Sequence, residues 1–91
     1  MSTLNEHETL LEFPCDFPVK AMGLAVDGFD LQVTELVRRH APDLDEGAVR
    51  TRPSQGGKYL AVTITVRATS RAQLDAIYRE LTACEAVLMA L

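Results

Sequence analysis

The segment Tyr59 to Ala68, with the sequence YLAVTITVRA, is the key to the fold of this chain. Apolar and small or polar residues alternate along it, and the apolar set is Leu60, Val62, Ile64, Val66 and Ala68. Because successive side chains of a strand point to opposite faces of its sheet, this pattern predicts a strand with one buried face. The turn residues Ser54-Gln55-Gly56-Gly57 precede it. The segment therefore predicts a long strand that is entered through a hairpin.

The register of the predicted hairpin follows from which residues of its two strands must point to the same face of the sheet. Its other strand is Ala48 to Pro53, and the turn is centred on Gly56-Gly57. The opposing pairs are then Val49 with Ile64, Arg50 with Thr63, Thr51 with Val62, and Arg52 with Ala61. A slip of one residue would move both arginines onto the buried face, and an unpaired buried charge costs several kcal/mol. We therefore expect this register.

Helical patterns flank the hairpin on both sides. The first runs from about Gly28 to His40, and Asp27 is expected at its N-terminal cap. The second runs from Arg71 to Ala83 and begins at a capping box formed by Ser70 and Gln73. Strands are predicted at Val19–Leu24, after an extended entry around Pro14 and Pro18, and at Ala86–Leu91.

The resulting order, β-α-β-β-α-β, predicts an α+β fold of the ferredoxin-like sandwich type. Right-handed crossovers place both helices on one face of a four-stranded antiparallel sheet. We expect residues 14–91 to form this domain and residues 1–13 to form an N-terminal arm. The opposite sheet face has no helix, and the residues predicted on it are Lys20, Met22, Arg50, Arg52, Tyr59, Ala61, Thr63, Thr65, Ala86, Leu88 and Ala90.

Three interpretations of this open face remain, the plainest being that it is solvated and that its single exposed apolar residues have no special role. The arm can lie across it, or the face can bind a second copy or another protein, with Met22, Ala61 and Leu88 as apolar contacts. Arg50, Arg52 and Lys58, beside Tyr59, can also hold an anion, although a solvated sheet edge that discourages aggregation explains these charges more simply. RNA-recognition modules stack bases on several sheet aromatics, however, and this strand offers one.

Composition narrows the class of protein further. The net charge is −4 and the sequence pI is about 5.0, whereas a dedicated nucleic-acid binder usually carries the opposite sign. The two cysteines form no Cys-x-x-Cys pair. The first residues resemble no secretory leader, and no apolar run is long enough to span a membrane. These features predict a cytoplasmic protein with no membrane segment.

No catalytic or metal-binding motif is complete. The segment Gly56-Gly57-Lys58 lacks the first glycine and the hydroxyl residue of a phosphate-binding loop, and it leads into a strand. The acidic loop Asp43–Glu46 lacks the oxygen ligands of a calcium site. His40 is expected at a helix end, and Cys15 has no neighbouring base. We predict no catalytic residue, no metal and no cofactor, and therefore no enzyme.

Several short segments resemble the YbeD-like family of small bacterial proteins, whose function is uncharacterised. They are Leu11-Glu12-Phe13-Pro14, Phe17, Lys20, Met22-Gly23, Arg39-His40-Ala41-Pro42, Ser54 to Tyr59, Val62-Thr63-Ile64 and Val87 to Leu91. The resemblance covers nearly the whole chain. It implies a ferredoxin-like fold similar to the ACT regulatory domain.

ACT domains bind small metabolites between paired copies, often at the first strand-to-helix turn. In this chain that turn holds Gly23, Asp27 and Gly28. The resemblance thus implies a regulatory or interaction module that self-associates and senses a small metabolite. The first alternative is an adaptor that binds a protein partner through the open sheet face. A weak RNA-binding protein ranks below both.

Overall fold

The computed structural model of the chain describes residues 11–91. Its strands are β1 (Cys15–Leu24), β2 (Val49–Pro53), β3 (Tyr59–Ala68) and β4 (Met89–Ala90), and its helices are α1 (Phe29–Arg38) and α2 (Arg71–Ala83). A short 3-10 turn at Glu46–Ala48 precedes β2. The strands form one antiparallel sheet in the order β2-β3-β1-β4. The predicted ferredoxin-like α+β fold is confirmed. Of the predicted arm, residues 1–10 lie outside the described residues.

The β2–β3 hairpin has the predicted register. Thr51 lies opposite Val62 and Arg52 opposite Ala61. The turn is possible because Gly56 and Gly57 have φ angles of 87° and 77°, in the left-handed region that side chains with a Cβ disfavour. It is closed by a backbone hydrogen bond of 2.8 Å from the Ser54 amide to the Tyr59 carbonyl.

One apolar core lies between the sheet and the two helices. β3 supplies four of the five residues predicted from its alternation, with the fifth, Leu60, partly buried against them, and each helix supplies one apolar stripe. The buried apolar residues are Val19, Ala21, Phe29, Val33, Val37, Ala41, Val62, Ile64, Val66, Ala68, Leu74, Ile77 and Leu81. Leu11 and Phe13 pack at the margin of this core.

The start of α1 differs from the prediction. Gly28, with φ of 86°, is the N-cap, and no side chain caps the helix. The expectation that Asp27 caps it was wrong, because the chain enters the helix through a left-handed residue and not through an extended one. The Gln32 amide instead donates to the Gly28 carbonyl at 2.9 Å. The helix ends at Arg38, so His40 follows it.

The start of α2 is as predicted, and it also joins the two helices. The Gln73 amide donates to Ser70 Oγ at 3.0 Å. The Gln73 side chain accepts from the Thr69 amide at 2.7 Å and donates to the His40 carbonyl at 2.7 Å. One glutamine therefore stabilises the first turn of α2 and links it to the segment after α1.

Strand β1 begins four residues earlier than predicted, and Pro18 lies within it. Lys20 exchanges backbone hydrogen bonds with Leu91 beside β4. In a strand, the backbone nitrogens of residues two apart point to the same neighbouring strand, so the nitrogen of Pro18 points to the β4 side, as that of Lys20 does. Pro18 lies beyond the residues of β1 that pair with β4. A proline is tolerated where its missing N–H would meet no neighbouring strand.

Strand β4 is shorter than predicted and contains a bulge. The amides of Leu88 and Leu91 donate to the carbonyls of Met22 and Lys20, both at 2.8 Å. The two donors are three residues apart, whereas the two acceptors on β1 are two residues apart. The segment at β4 therefore contains one extra residue, which is a β-bulge.

Pairing with β1 decides which side chains of β4 reach the open face. Ala90 lies opposite the buried Ala21, so its predicted place on the open face was wrong. Ala86, also predicted there, packs against the core instead. Met89 lies opposite Met22 and shares its face. Leu88 lies at the bulge and is 61% exposed.

Candidate interaction face

The open sheet face is the side of the sheet opposite the two helices. Its described side chains are Asp16, Pro18, Lys20, Met22 and Leu24 of β1, Arg50 and Arg52 of β2, Tyr59, Ala61, Thr63, Thr65 and Arg67 of β3, Met89 of β4, and Leu91 just after it. These positions alternate with buried core residues along β1 and β3, so the two faces of the sheet differ sharply in composition.

Strand pairing arranges the centre of this face in two rows. The first row crosses the sheet as Arg52, Ala61, Met22 and Met89. The second row crosses it as Arg50, Thr63, Lys20 and Leu91. The apolar members therefore lie together toward the β4 side, and the arginines lie at the β2 edge.

Two shallow depressions meet at the apolar part of the face. One has a volume of about 60 Å³ and is lined by Lys20, Ala21, Met22, Ala61, Met89 and Leu91. The other, of about 270 Å³, is lined by Met22, Arg52, Pro53, Ser54, Gln55, Tyr59 and Ala61. Met22 and Ala61 are common to both. Met89 and Leu91 are 51% and 68% exposed, which is unusual for large apolar side chains gathered at one place.

The cations of the open sheet face fall into two groups. Arg67 lies 3.4 Å from Asp16, so that pair is internally compensated. Lys20, Arg50 and Arg52 are exposed and form no ion pair within residues 11–91. These three charges are therefore available to a partner.

Tyr59 contributes less to the face than its position suggests. The Lys58 ammonium lies 5.5 Å from the centroid of its ring, within the range of a cation–π contact. One side of the ring is thus occupied. The neighbouring side chains on β3, Ala61 and Thr63, cannot stack a base, so this part of the sheet lacks the aromatic platform of RNA-recognition modules.

The residues at the β1–α1 turn have structural roles. Gly23 is buried, and a Cβ at this position would lie 2.6 Å from the Phe29 ring and would also meet the Ala86 carbonyl oxygen. Gly28 supplies the left-handed N-cap of α1. Asp27 is exposed. The three predicted residues therefore do not form one surface, because Asp27 and Gly28 are exposed and Gly23 is buried.

His40 belongs to a link between the two helices. Its Nε2 lies 3.0 Å from one oxygen of Glu80, and Arg39 Nη1 lies 3.1 Å from the other. The depression beside this cluster is completed by Ala76, Arg79 and Ala83, none of which is a nucleophile. His40 thus lies just after α1 and not in its last turn as predicted, and with Arg39 it links the end of this helix to Glu80 of α2.

Metal sites, thiols and membrane-spanning helices were the remaining features to compare with the described part of the chain. Within residues 11–91, no group of three or more histidine, cysteine or acidic side chains could hold a metal ion. Cys15 and Cys84 are both free thiols, and the Gln32 amide lies 3.5 Å from the sulfur of Cys84. Neither described helix is long and apolar enough to cross a bilayer.

Fold and surface together define a small α+β sandwich with one helix-covered and one open sheet face. The solution structure of protein HP0495 from H. pylori is similar, with a TM-score of 0.71 over 89% of this chain and 85% of that one. The two share 12% sequence identity, so the likeness concerns the fold.

Sequence comparison gives the family. Residues 8–91 match the model of a protein family of unknown function, DUF493. A UPF0250 protein of Chromobacterium violaceum is 53% identical over 87 residues, covering 96% of this chain and 98% of its own length. A UPF0250 protein of Janthinobacterium sp. is 52% identical over 81 residues, covering 89% of each chain. The chain belongs to this family of small bacterial proteins, which confirms the resemblance found in the sequence. No enzymatic activity is named for the family.

Met89 and Leu91 are the large apolar residues of the open sheet face that sequence reasoning missed, and Asp16, Pro18, Leu24 and Arg67 were also absent from the predicted set. The segment Val87-Leu88-Met89-Ala90-Leu91 is apolar at every position, so it contains no alternation from which a face could be read. The face follows from the pairing of this segment with β1, which its sequence does not specify.

Proposed function

We propose that this protein is a non-enzymatic interaction module of the bacterial cytoplasm that binds a protein partner through its open sheet face. The observation that carries the proposal is the pair of adjoining depressions at Met22 and Ala61, bordered by large exposed apolar side chains. Specific interfaces commonly have an apolar centre and a polar rim, and this face offers both.

The edges of the sheet support binding through the face and not through added strands. β2 is short and carries Arg50, Arg52 and Pro53, and β4 has two residues and a bulge. Charges, proline, short length and bulges are the features by which proteins discourage edge-to-edge pairing. A partner that contacts the face avoids both protected edges.

Metabolite sensing in the manner of ACT domains has weaker support. It rests on the glycines of the β1–α1 turn, and the Phe29 ring and the N-cap of α1 already account for Gly23 and Gly28. A thermal-shift screen against amino acids at millimolar concentration tests it directly. A rise in melting temperature that Asp27→Ala abolishes would favour sensing over the interaction role.

Affinity capture from a lysate of the encoding bacterium tests the interaction role. The bait is the full chain, compared with Met22→Glu and Ala61→Glu on the open sheet face. Leu31→Glu is the matched control, because Leu31 is 68% exposed on α1. Circular dichroism verifies that each variant is folded.

The expected result is a protein retained by the wild type and the control but lost with both open-face variants. That protein is then purified and its binding reproduced by calorimetry with the same four baits. Retention that is unchanged by Met22→Glu and Ala61→Glu, or no retained protein at all, would contradict the proposal.

A further inference from the structure

We infer that the partner of the open sheet face is an acidic protein segment that presents an apolar side chain between carboxylates. This inference rests on the proposed function and adds the chemistry of the partner. It follows from where the unpaired cations lie relative to the apolar depressions.

The register fixes that placement. Lys20 precedes Met22 by two residues on β1, which separates their Cα atoms by about 7 Å. Arg52 lies two strands away from Met22 in the same row, at about 10 Å. An apolar side chain seated over Met22 and Ala61 would thus have a cation on two sides. Carboxylates two to four residues away from that side chain in the partner's sequence would reach Lys20 and Arg52.

Charge segregation points to the same partner. The chain carries a net charge of −4, yet the open sheet face holds three cations that are unpaired within residues 11–91, Lys20, Arg50 and Arg52, while its one acid, Asp16, is paired with Arg67. The acids of the described chain lie mainly on the helices and loops. Complementary potential favours an acidic partner at this face and speeds its association.

A second copy of this chain is the less favourable occupant. Two open faces in contact would bring Lys20, Arg50 and Arg52 of each copy together with no acid of either copy paired to them. Like charges held together at an interface cost several kcal/mol. Single-stranded RNA is also less favourable, since its affinity depends on aromatic stacking and Tyr59 alone offers a ring.

The test uses fluorescence anisotropy with the full chain and labelled probes. The main probe is a peptide of four Glu-Glu-Leu repeats. Its matched probes are a peptide of four Lys-Lys-Leu repeats, a peptide of four Glu-Glu-Ser repeats, and an oligouridine of twelve nucleotides. We expect the first to bind at least tenfold more tightly than each of the others, and more weakly as salt is added.

Variants locate the binding. The double variant Lys20→Glu/Arg52→Glu should weaken binding of the Glu-Glu-Leu peptide at least tenfold, and Met22→Glu should do the same. Arg79→Glu is the matched control, because it makes the same kind of charge change on α2 and should leave binding unchanged. NMR shifts of backbone amides should fall on β1, β3 and β4.

Some results would overturn the inference and leave the proposed function intact. These are equal binding of the Lys-Lys-Leu peptide, tighter binding of oligouridine, or a captured protein that Met22→Glu loses but Lys20→Glu/Arg52→Glu retains. Sedimentation that shows a dimer disrupted by Met22→Glu would also overturn it, because a second copy would then occupy the face. If the affinity capture from the lysate retains no protein, that result counts against the proposed function.

Discussion

Gly23 is the residue at which β1 passes closest to α1 and to the segment before β4. The Phe29 ring and the Ala86 carbonyl oxygen occupy the space that a side chain would need. The ring is 1% exposed and anchors the start of α1 in the core. Glycine is therefore required at this position by packing, and not by an unusual backbone angle.

Gly23→Ala should destabilise the protein by about 1–3 kcal/mol, because the backbone oxygen cannot move away as a flexible side chain can. Urea denaturation followed by circular dichroism measures the change. Gly47→Ala is the control, since its new methyl group meets only Asp45 Oδ1 at 3.5 Å. A Gly23→Ala variant as stable as the control would show that Phe29 and the Ala86 segment adjust freely.

At the scale of elements, the Tyr78 side chain connects α2 to the end of β4. The Tyr78 hydroxyl donates to the backbone oxygen of Leu91 at 2.5 Å. The same oxygen accepts from the Lys20 amide at 3.0 Å. Because β4 is short, this contact adds to the few that hold its end against the sheet.

Burial raises the pKa of Tyr78 above its ordinary value of about 10. The folded state thus holds the phenolic proton more tightly than the unfolded state does. Its contribution to stability is complete below pH 10 and is lost as the pH rises through the raised pKa. Tyr78→Phe should cost about 1 kcal/mol at neutral pH and should flatten the loss of stability above pH 10.

Urea midpoints at pH 7, 9, 10 and 11 for the wild type and for Tyr78→Phe measure both effects. Tyr59→Phe is the matched control, because it removes the chain's other tyrosine hydroxyl. If Tyr59→Phe flattened the alkaline profile and Tyr78→Phe did not, the burial of Tyr78 would not be the cause.

At the scale of the whole molecule, a single core serves the sheet and both helices. Phe29 from α1, Ile64 from β3 and Ile77 from α2 are all fully or nearly fully buried in it. The helices are also tied to each other through Gln73 and Glu80. We therefore expect sheet and helices to unfold together.

Ile77→Ala should lower the free energy of unfolding by about 2–5 kcal/mol, because it leaves a cavity between α2 and the sheet. That is a large part of the roughly 5–15 kcal/mol that stabilises a typical domain. The transition should stay single, with coincident curves from circular dichroism and tyrosine fluorescence. Leu31→Ala, on the exposed side of α1, should change stability little. Separate transitions would show that the helices and the sheet do not share one cooperative unit.

The candidate face was predictable in part. Met22, Arg50, Arg52, Tyr59 and Ala61 lie on the open sheet face as their alternation predicted, since each is in a strand with regular pairing. Ala86 and Ala90 do not, because their segment is apolar at every position and pairing with β1 places Ala90 opposite the buried Ala21, while Ala86 packs against the core. That Lys20, Arg50 and Arg52 lack ion pairs within residues 11–91, while Arg67 pairs with Asp16, became visible only once the strands were assembled.

Local sequence was sufficient to predict the element order, the core stripe of β3 and the hairpin register. Each of these depends on residue spacing and on the cost of burying the charges of Arg50 and Arg52. Three other features needed the assembled fold: the left-handed N-cap of α1 at Gly28 in place of a side-chain cap at Asp27, the passage of β1 through Pro18 and the side of the sheet that Met89 occupies. They depend on which neighbouring segment a backbone group meets, and the spacing of residues along the sequence does not specify that segment.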